Sequence, residues 1–202
     1  MTIADRKTRE KEEMRNLILK KAMELIKKEG IENLSLRGIA EKIEYSPATV
    51  YLYFSDKMEI IHALHLKGFE KLYDLQLSVS HIEDPLMRLR KQGEAYMKFA
   101  LENPEYYDLM FIAKGTALKI SEKNEWDVGQ RSFEMLRDNV RECIDKGLLP
   151  KADYDVAAFT MWSFVHGMAA LIIRGRCVMI PEDQLKNIVA GSIQFMQSKF
   201  SK

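Results

Sequence analysis

Three of the chain's five prolines stand directly behind a residue able to cap a helix: Ser46-Pro47, Asp84-Pro85 and Asn103-Pro104. A helix start leaves backbone N–H groups without partners. A Ser, Asp or Asn oxygen accepts from one of them, and a proline in the first turn has no N–H to leave bare. This punctuation makes the chain a series of helices with short breaks. The apolar residues agree. From Thr8 on, Met14, Leu17, Ile18, Ala22, Leu25 and Ile26 fall on one helical stripe among lysines and glutamates. Gly30 ends that helix as a left-handed cap, with Ile31 folding back on its last turn. A short helix follows Ser35 through Leu36, Ile39, Ala40 and Ile43, and another starts at Ser46. No segment alternates at the strand period, so the expected fold is all-α.

The later segments are longer. Asp56 with Glu59 forms a capping box for a helix carrying Ile60, Ile61, Leu64, Leu72 and Leu75. Helices are expected behind Asp84 and Asn103, over Glu122–Lys146 up to Gly147, over Asp153–Arg174, and over Pro181–Phe200, with a break at Leu148-Leu149-Pro150. The change in helix length places a seam near Asp56. Residues 1–55 are expected to form one domain and 56–202 a second.

Composition sets limits on function. Hydrophobic residues make up 47% of 202, enough for a real core. Charges nearly cancel at +1, so only their local distribution can speak for a nucleic-acid partner. The two cysteines, Cys143 and Cys177, make no disulfide framework and suit a reducing cytoplasm. The opening MTIADRKTREKEEM has no apolar signal segment, and no apolar run approaches a membrane span. A soluble cytoplasmic protein with no membrane partner is expected.

The two short helices separated by Glu44-Tyr45 form a candidate helix-turn-helix. In the second, Ser46 and Thr49 can hydrogen-bond phosphates or base edges, and the Thr49 methyl can meet a thymine methyl. Ala48 allows close backbone approach, and Pro47 exposes its ring beside it. Tyr51 and Tyr53 offer hydroxyls to phosphate, and Lys57 adds a charge at the next helix start. Val50 and Phe54 are spaced to face inward. Ser35 and Arg37, on the preceding helix, complete the candidate DNA-contacting set. The alternative is a capped helix with tyrosines on a wet surface.

Residues 35 to 57, SLRGIAEKIEYSPATVYLYFSDK, resemble the DNA-binding signature of the TetR family of transcriptional regulators. The matching positions are Ser35, Ile39-Ala40, Ser46, Thr49-Val50-Tyr51, Tyr53-Phe54 and Lys57. The resemblance implies an N-terminal three-helix DNA-binding domain followed by a helical ligand-binding and dimerisation domain. It also implies a homodimer on double-stranded operator DNA, joined by the last two long helices and released by a small-molecule effector, with no cofactor. Trp162-Ser163-Phe164-Val165-His166-Gly167 resembles the Trp…His-Gly element of the family's WHG-type ligand domain. Asn103–Phe111 resembles the short helix before that branch's ligand cavity. Three positions depart from the pattern. Glu44 stands where the family has a turn glycine. Gly38 interrupts the first short helix, at about 1 kcal/mol against alanine. Leu52 replaces an aromatic or histidine contact.

Other polar groups have plainer readings. Arg6, Lys7, Arg9, Lys11 and Arg15 can form a phosphate-facing arm or, with Glu10, Glu12 and Glu13, a solvated charge run. Glu59, His62 and His65 have helical metal-site spacing without a converging cluster, and a packing or solvent role is expected. His81 has no company. His166 is either a hydrogen-bonded core histidine or a polar anchor in a ligand pocket with Trp162. Tyr96, Phe99, Tyr106, Met110, Phe111 and Phe133 are candidate lining for that pocket as a set, and residues of this kind taken singly are more often plain core. Such a pocket suits an apolar or aromatic effector.

The Asp153–Arg174 helix is apolar on two sides, so both should be covered. Leu185, Ile188, Val189, Ser192, Ile193 and Met196 form a stripe on the last helix, and Ala190, Gly191 and Ser192 permit close approach. An all-helical enzyme would need a nucleophile with its base, paired carboxylates or a metal cluster, and no such motif is found. A helical protein-binding adaptor leaves the reading-helix pattern unexplained.

Overall fold

A computed structural model describes residues 2–113 and 127–200. The helix start expected at Glu122 lies outside the described residues. Among those residues every regular element is helical: α1 Ile3–Glu29, α2 Leu36–Ile43, α3 Pro47–Tyr51, α4 Lys57–Leu77, α5 Pro85–Glu102, α6 Pro104–Phe111, α7 Asp127–Asp145, α8 Tyr154–Ile173 and α9 Glu182–Phe200. A 3-10 turn, Ile31–Asn33, links α1 to α2.

The caps explain most boundaries. Helix α1 starts earlier than its apolar stripe suggests. Thr2 and Asp5 form a reciprocal capping box, with the Asp5 N–H donating to Thr2 Oγ1 at 3.2 Å and the Thr2 N–H to Asp5 Oδ2 at 2.8 Å. Gly30 does take positive φ, 83°, but with ψ 159°. That is the extended mirror region open essentially to glycine alone, not a left-handed helical cap. Ser35 Oγ accepts from Gly38 N–H at 3.1 Å, and Asp84 Oδ1 accepts from Leu86 and Met87 N–H. Asn103 behaves differently from its expected capping of α6. Its own N–H and its side-chain amide both donate to the Phe99 carbonyl, closing the end of α5. Asp56 accepts from Glu59 N–H at 2.8 Å, and the Glu59 carboxylate reaches back to Ser55 N–H at 2.7 Å.

The chain folds as two compact units. Among the described residues the first takes 2–68 with 105–113, and the second takes 69–104 with 127–200. Their boundary falls within α4. The first unit has a core of Ile18, Ala22, Ile39, Ala40, Val50, Phe54, Ile60 and Leu64, joined by Leu109 from α6. Gly68 lets α6 come close: a Cβ there would stand 2.6 Å from Met110 Sδ. His62 and His65 are both buried in this unit, with rings stacked 6.2 Å apart, which is the packing role rather than the solvent one. His65 Nδ1 lies 3.4 Å from the Leu109 carbonyl.

In the second unit α8 packs against α5 and α7, and α9 against α5. The inner face of α8 is Ala158, Val165 and Ala169. Leu89, Val140, Cys143 and Leu149 complete that core, and burial pushes the Cys143 thiol up to about 11. Cys177 is half-buried and free. Helix α8 corrects one expectation: its 20 residues are long and apolar enough to cross a membrane by length and composition alone. The reason lies in its two apolar sides. A helix meant to be covered on both faces carries the same composition as a span.

Burial holds the His65 imidazole below its ordinary value of 6.5; the Leu109 carbonyl acts against this and His62 adds to it. Burial likewise lowers His166. The folded chain therefore binds fewer protons than the unfolded chain once pH falls below about 6.5. Stability present at neutral pH should be lost progressively from about 6.5 downward, at no more than about 1.4 kcal/mol per pH unit for each histidine. Melting temperatures from pH 7.5 to 5.5 check this. His65→Gln should flatten the acid limb, and an unchanged limb would remove His65 from the account.

Candidate nucleic-acid interface

Helix α3 is one and a half turns long, and its two sides are chemically distinct. Val50 and Phe54 are fully buried in the first unit's core. Ser46, Pro47 and Ala48 are exposed, and Thr49 is half-buried. Ser46 Oγ caps the helix, accepting from Thr49 N–H at 3.3 Å, and lies 3.1 Å from Thr49 Oγ1. The two hydroxyls are thus held side by side at the helix start. Tyr51 is 57% exposed and Leu52 78%. Tyr53 is half-buried against the core. Ser35 and Arg37 are exposed at the start of α2.

Glu44 forms the turn between α2 and α3 in the left-handed region, φ 60° and ψ 37°, the only non-glycine at positive φ among the described residues. Its N–H donates to Ala40 and Glu41 carbonyls at the end of α2. A side chain in this conformation costs roughly 1–2 kcal/mol, and glycine's looser unfolded state returns part of that. Glu44→Gly should therefore raise stability by about 0.5–1 kcal/mol in urea unfolding. A destabilised variant would mean that the Glu44 side chain has an unrecognised stabilising partner.

Lys57 is less free than its sequence position suggests. Its Nζ donates to the Glu32 carbonyl at 2.8 Å, tying the start of α4 to the turn before α2. The ammonium keeps further N–H groups for a second acceptor. The Arg15 guanidinium carbon lies over the Phe54 ring, 4.3 Å from its centroid, so it serves the core. Arg6 pairs with Glu10 at 3.1 Å and Arg9 with Glu13 at 3.5 Å, as a solvated charge run does. Neither the Lys57 tie nor the Arg15 stack had a local signal, because their partners are 25 and 39 positions away.

The ligand candidates fall into two groups. In the second unit Tyr96 Oη and His166 Nδ1 are 2.9 Å apart. The Trp162 ring lies 5.7 Å from His166 and 6.1 Å from Phe133. Phe99 is fully buried in the same unit. Tyr106, Met110 and Phe111 belong to the first unit, on α6. Tyr106 lines a cavity of about 330 Å3 with Asn16, Leu19, Met23, Leu64 and Lys67. Burial raises its phenol above the ordinary range. No group of three or more metal-ligating side chains stands together among the described residues.

Residues 18–64 match the family model described as bacterial regulatory proteins, tetR family. Residues 89–191 match the tetracyclin repressor-like, C-terminal domain. The chain belongs to the TetR family. Members of this family are transcriptional regulators that bind operator DNA and act as dimers. This TetR-family chain is 23% identical over 158 residues to YobS of Bacillus subtilis, an uncharacterised HTH-type transcriptional regulator, covering 78% of each. It is 24% identical over 180 residues to the nucleoid occlusion factor SlmA of Marinobacter nauticus, covering 86% of this chain and 91% of that one. A Rhodococcus protein of unknown function shares the fold, with TM-score 0.78, 24% identity and coverage of 93% and 95%.

Proposed function

We propose that this TetR-family regulator is a repressor released from its operator by a small apolar or aromatic effector. One observation carries the DNA half. The exposed groups Ser46, Pro47, Ala48 and Tyr51 and the half-buried Thr49 lie on one short helix and its cap, whose other side is pinned by Val50 and Phe54. Ser46, Ala48 and Thr49 read base edges; Tyr51, Tyr53 and Lys57 hold phosphate, with Ser35 and Arg37 from α2. Function divides as residues 1–55 for DNA and 56–202 for ligand and dimer. Tyr96, Phe99, Phe133, Trp162 and His166 supply the effector site. Tyr106, Met110 and Phe111 transmit occupancy through α6. The protein works in the cytoplasm and has no catalytic role.

The dimer forms through α8 and α9. Phe159 of α8 and Phe195 of α9 are more than half exposed, and Val156, Leu171 and Ile188 also stand open. A second copy covers the outer side of α8. An effector that prefers a dimer with wrongly spaced reading helices lowers operator affinity, and operator lowers effector affinity by the same factor.

Fluorescence anisotropy on an operator selected from random duplexes tests the reading. Thr49→Ala should change the preferred base at one half-site position. Lys57→Ala should weaken all duplexes alike and reduce the salt slope by roughly one unit per half-site. Base preference that survives Thr49→Ala in every single-base variant would take Thr49 off the reading surface.

A further inference from the structure

Leu52 is 78% exposed, and among the described residues of the first unit no large apolar side chain is more open. A single exposed leucine is ordinary on a protein surface. The position of this one is not. Its backbone is still helical, φ −68° and ψ −18°, and its N–H donates to the Thr49 and Val50 carbonyls. The side chain therefore follows the period of α3. Ala48 lies four positions earlier, so the two share one face, one turn apart. Val50 and Phe54, also four apart, share the inward face and are fully buried. At 3.6 residues per turn Leu52 points about 160° round the helix from Val50, away from the core. Ala48 adds only a methyl to this outer face, so Leu52 is the larger projection there.

A tyrosine or histidine at this position could donate to a phosphate or to a base edge. Leucine has no donor and no acceptor, so it can do neither. It offers apolar surface alone. In the major groove a base pair presents one apolar group, the 5-methyl of thymine. Thr49 lies on another side of α3 and is half-buried, so it meets a different base.

We infer that Leu52 is a specificity-determining residue of the operator contact, packing on the 5-methyl group of one thymine in each half-site, at a position distinct from the one Thr49 reads. The inference rests on α3 being the reading helix. It adds to that reading a base and the atom by which the base is chosen. A leucine lying on deoxyribose would add affinity without preference, and the two cases separate by experiment.

Deoxyuridine keeps every hydrogen-bonding edge of thymidine and lacks only the methyl. The full-length protein selects an operator from random duplexes. Each thymine of the half-sites is then replaced in turn by deoxyuridine, in both half-sites together. Anisotropy gives the affinities of the parent, Leu52→Ala and Thr49→Ala. In the parent one such replacement should weaken binding roughly tenfold, since two methyls lose their apolar cover. In Leu52→Ala the same replacement should cost less than about twofold, because the methyl has no partner left to lose. In Thr49→Ala it should cost as much as in the parent. Leu52→Ala should melt as the parent does, its side chain being largely in solvent. Deoxyuridine costs identical in the parent and Leu52→Ala at every thymine would overturn the inference and place the leucine on deoxyribose. So would an operator in which no thymine is sensitive to the replacement. Both outcomes leave selective DNA binding, and with it the repressor reading, standing. A parent that selects no duplex would instead overturn α3 as the reading helix, and this inference with it.

Discussion

Phe159→Glu combined with Phe195→Glu is expected to leave a folded, helical monomer that no longer holds a specific operator. The two rings are 57% and 63% exposed in one chain, so somewhat over half of each can still be covered by a second copy. Covering that remainder contributes about 1–1.5 kcal/mol per ring. In a two-fold dimer each ring occurs twice, giving about 5 kcal/mol for four rings. That is three to four decades in the dimer dissociation constant, before the added cost of four interfacial carboxylates. Two reading helices can meet successive major grooves only when linked, so loss of the dimer removes one half-site from each binding event. Operator affinity should fall by at least about a thousandfold, toward the non-specific level. Sedimentation equilibrium reports the monomer, circular dichroism its retained helix content, and anisotropy the lost operator. A dimer that persists in the double variant would put the interface elsewhere.

What the sequence disclosed about this fold follows from the range of each interaction. Ser46-Pro47 and Asp84-Pro85 read correctly because a cap and its N–H lie within three residues. Asn103-Pro104 has the same local form, yet its side chain turned back to the Phe99 carbonyl. Where two helices abut, one asparagine can serve either end, and local pattern does not choose. The Thr2–Asp5 box was present in the letters but preceded the apolar stripe, which set the expected start at Thr8. Burial of Val50 and Phe54 was legible from spacing; Lys57 on the Glu32 carbonyl was not, because that contact is tertiary.

The ligand-side residues were harder for a related reason. An aromatic residue on a helix stripe reads the same whichever core receives it, so Tyr106 and Met110 could not be assigned to the first unit from pattern alone. The buried amide contact between Gln92 and Asn139 did leave a trace. Gln92 interrupts the stripe formed by Leu89, Tyr96, Phe99 and Ala100, all buried. A glutamine in register with a core stripe signals a buried polar task. The exposed Phe159 ring on α8 was foreshadowed by the helix having two apolar sides, a pattern that also gave α8 the composition of a membrane span.

Phe54→Ala should unfold the reading head while the second unit stays intact. Phe54 is 1% exposed and lies beside α3, and its N–H donates to the Val50 carbonyl at 3.1 Å. Removing a ring so enclosed costs about 3–5 kcal/mol, because the transfer loss is joined by an unfilled cavity. The Arg15 guanidinium, 4.3 Å above the ring, loses its platform as well, adding roughly 0.5–1 kcal/mol. Whole domains are stable by only about 5–15 kcal/mol, and a head this small has little surplus. The second unit keeps its own core of Leu89, Val140, Cys143, Leu149 and Ala158, which does not include Phe54. Hydrogen exchange should therefore show amides of α1–α3 losing protection by two decades or more, about 3 kcal/mol, while those of α5, α7 and α8 change little. Operator binding should disappear with the head. Tyr51→Phe is the contrasting variant: its ring is open to solvent, so exchange should stay as in the parent while phosphate-dependent affinity falls. Protection lost evenly along the whole chain in Phe54→Ala would show that the two units unfold as one, and that the head has no separate stability to lose.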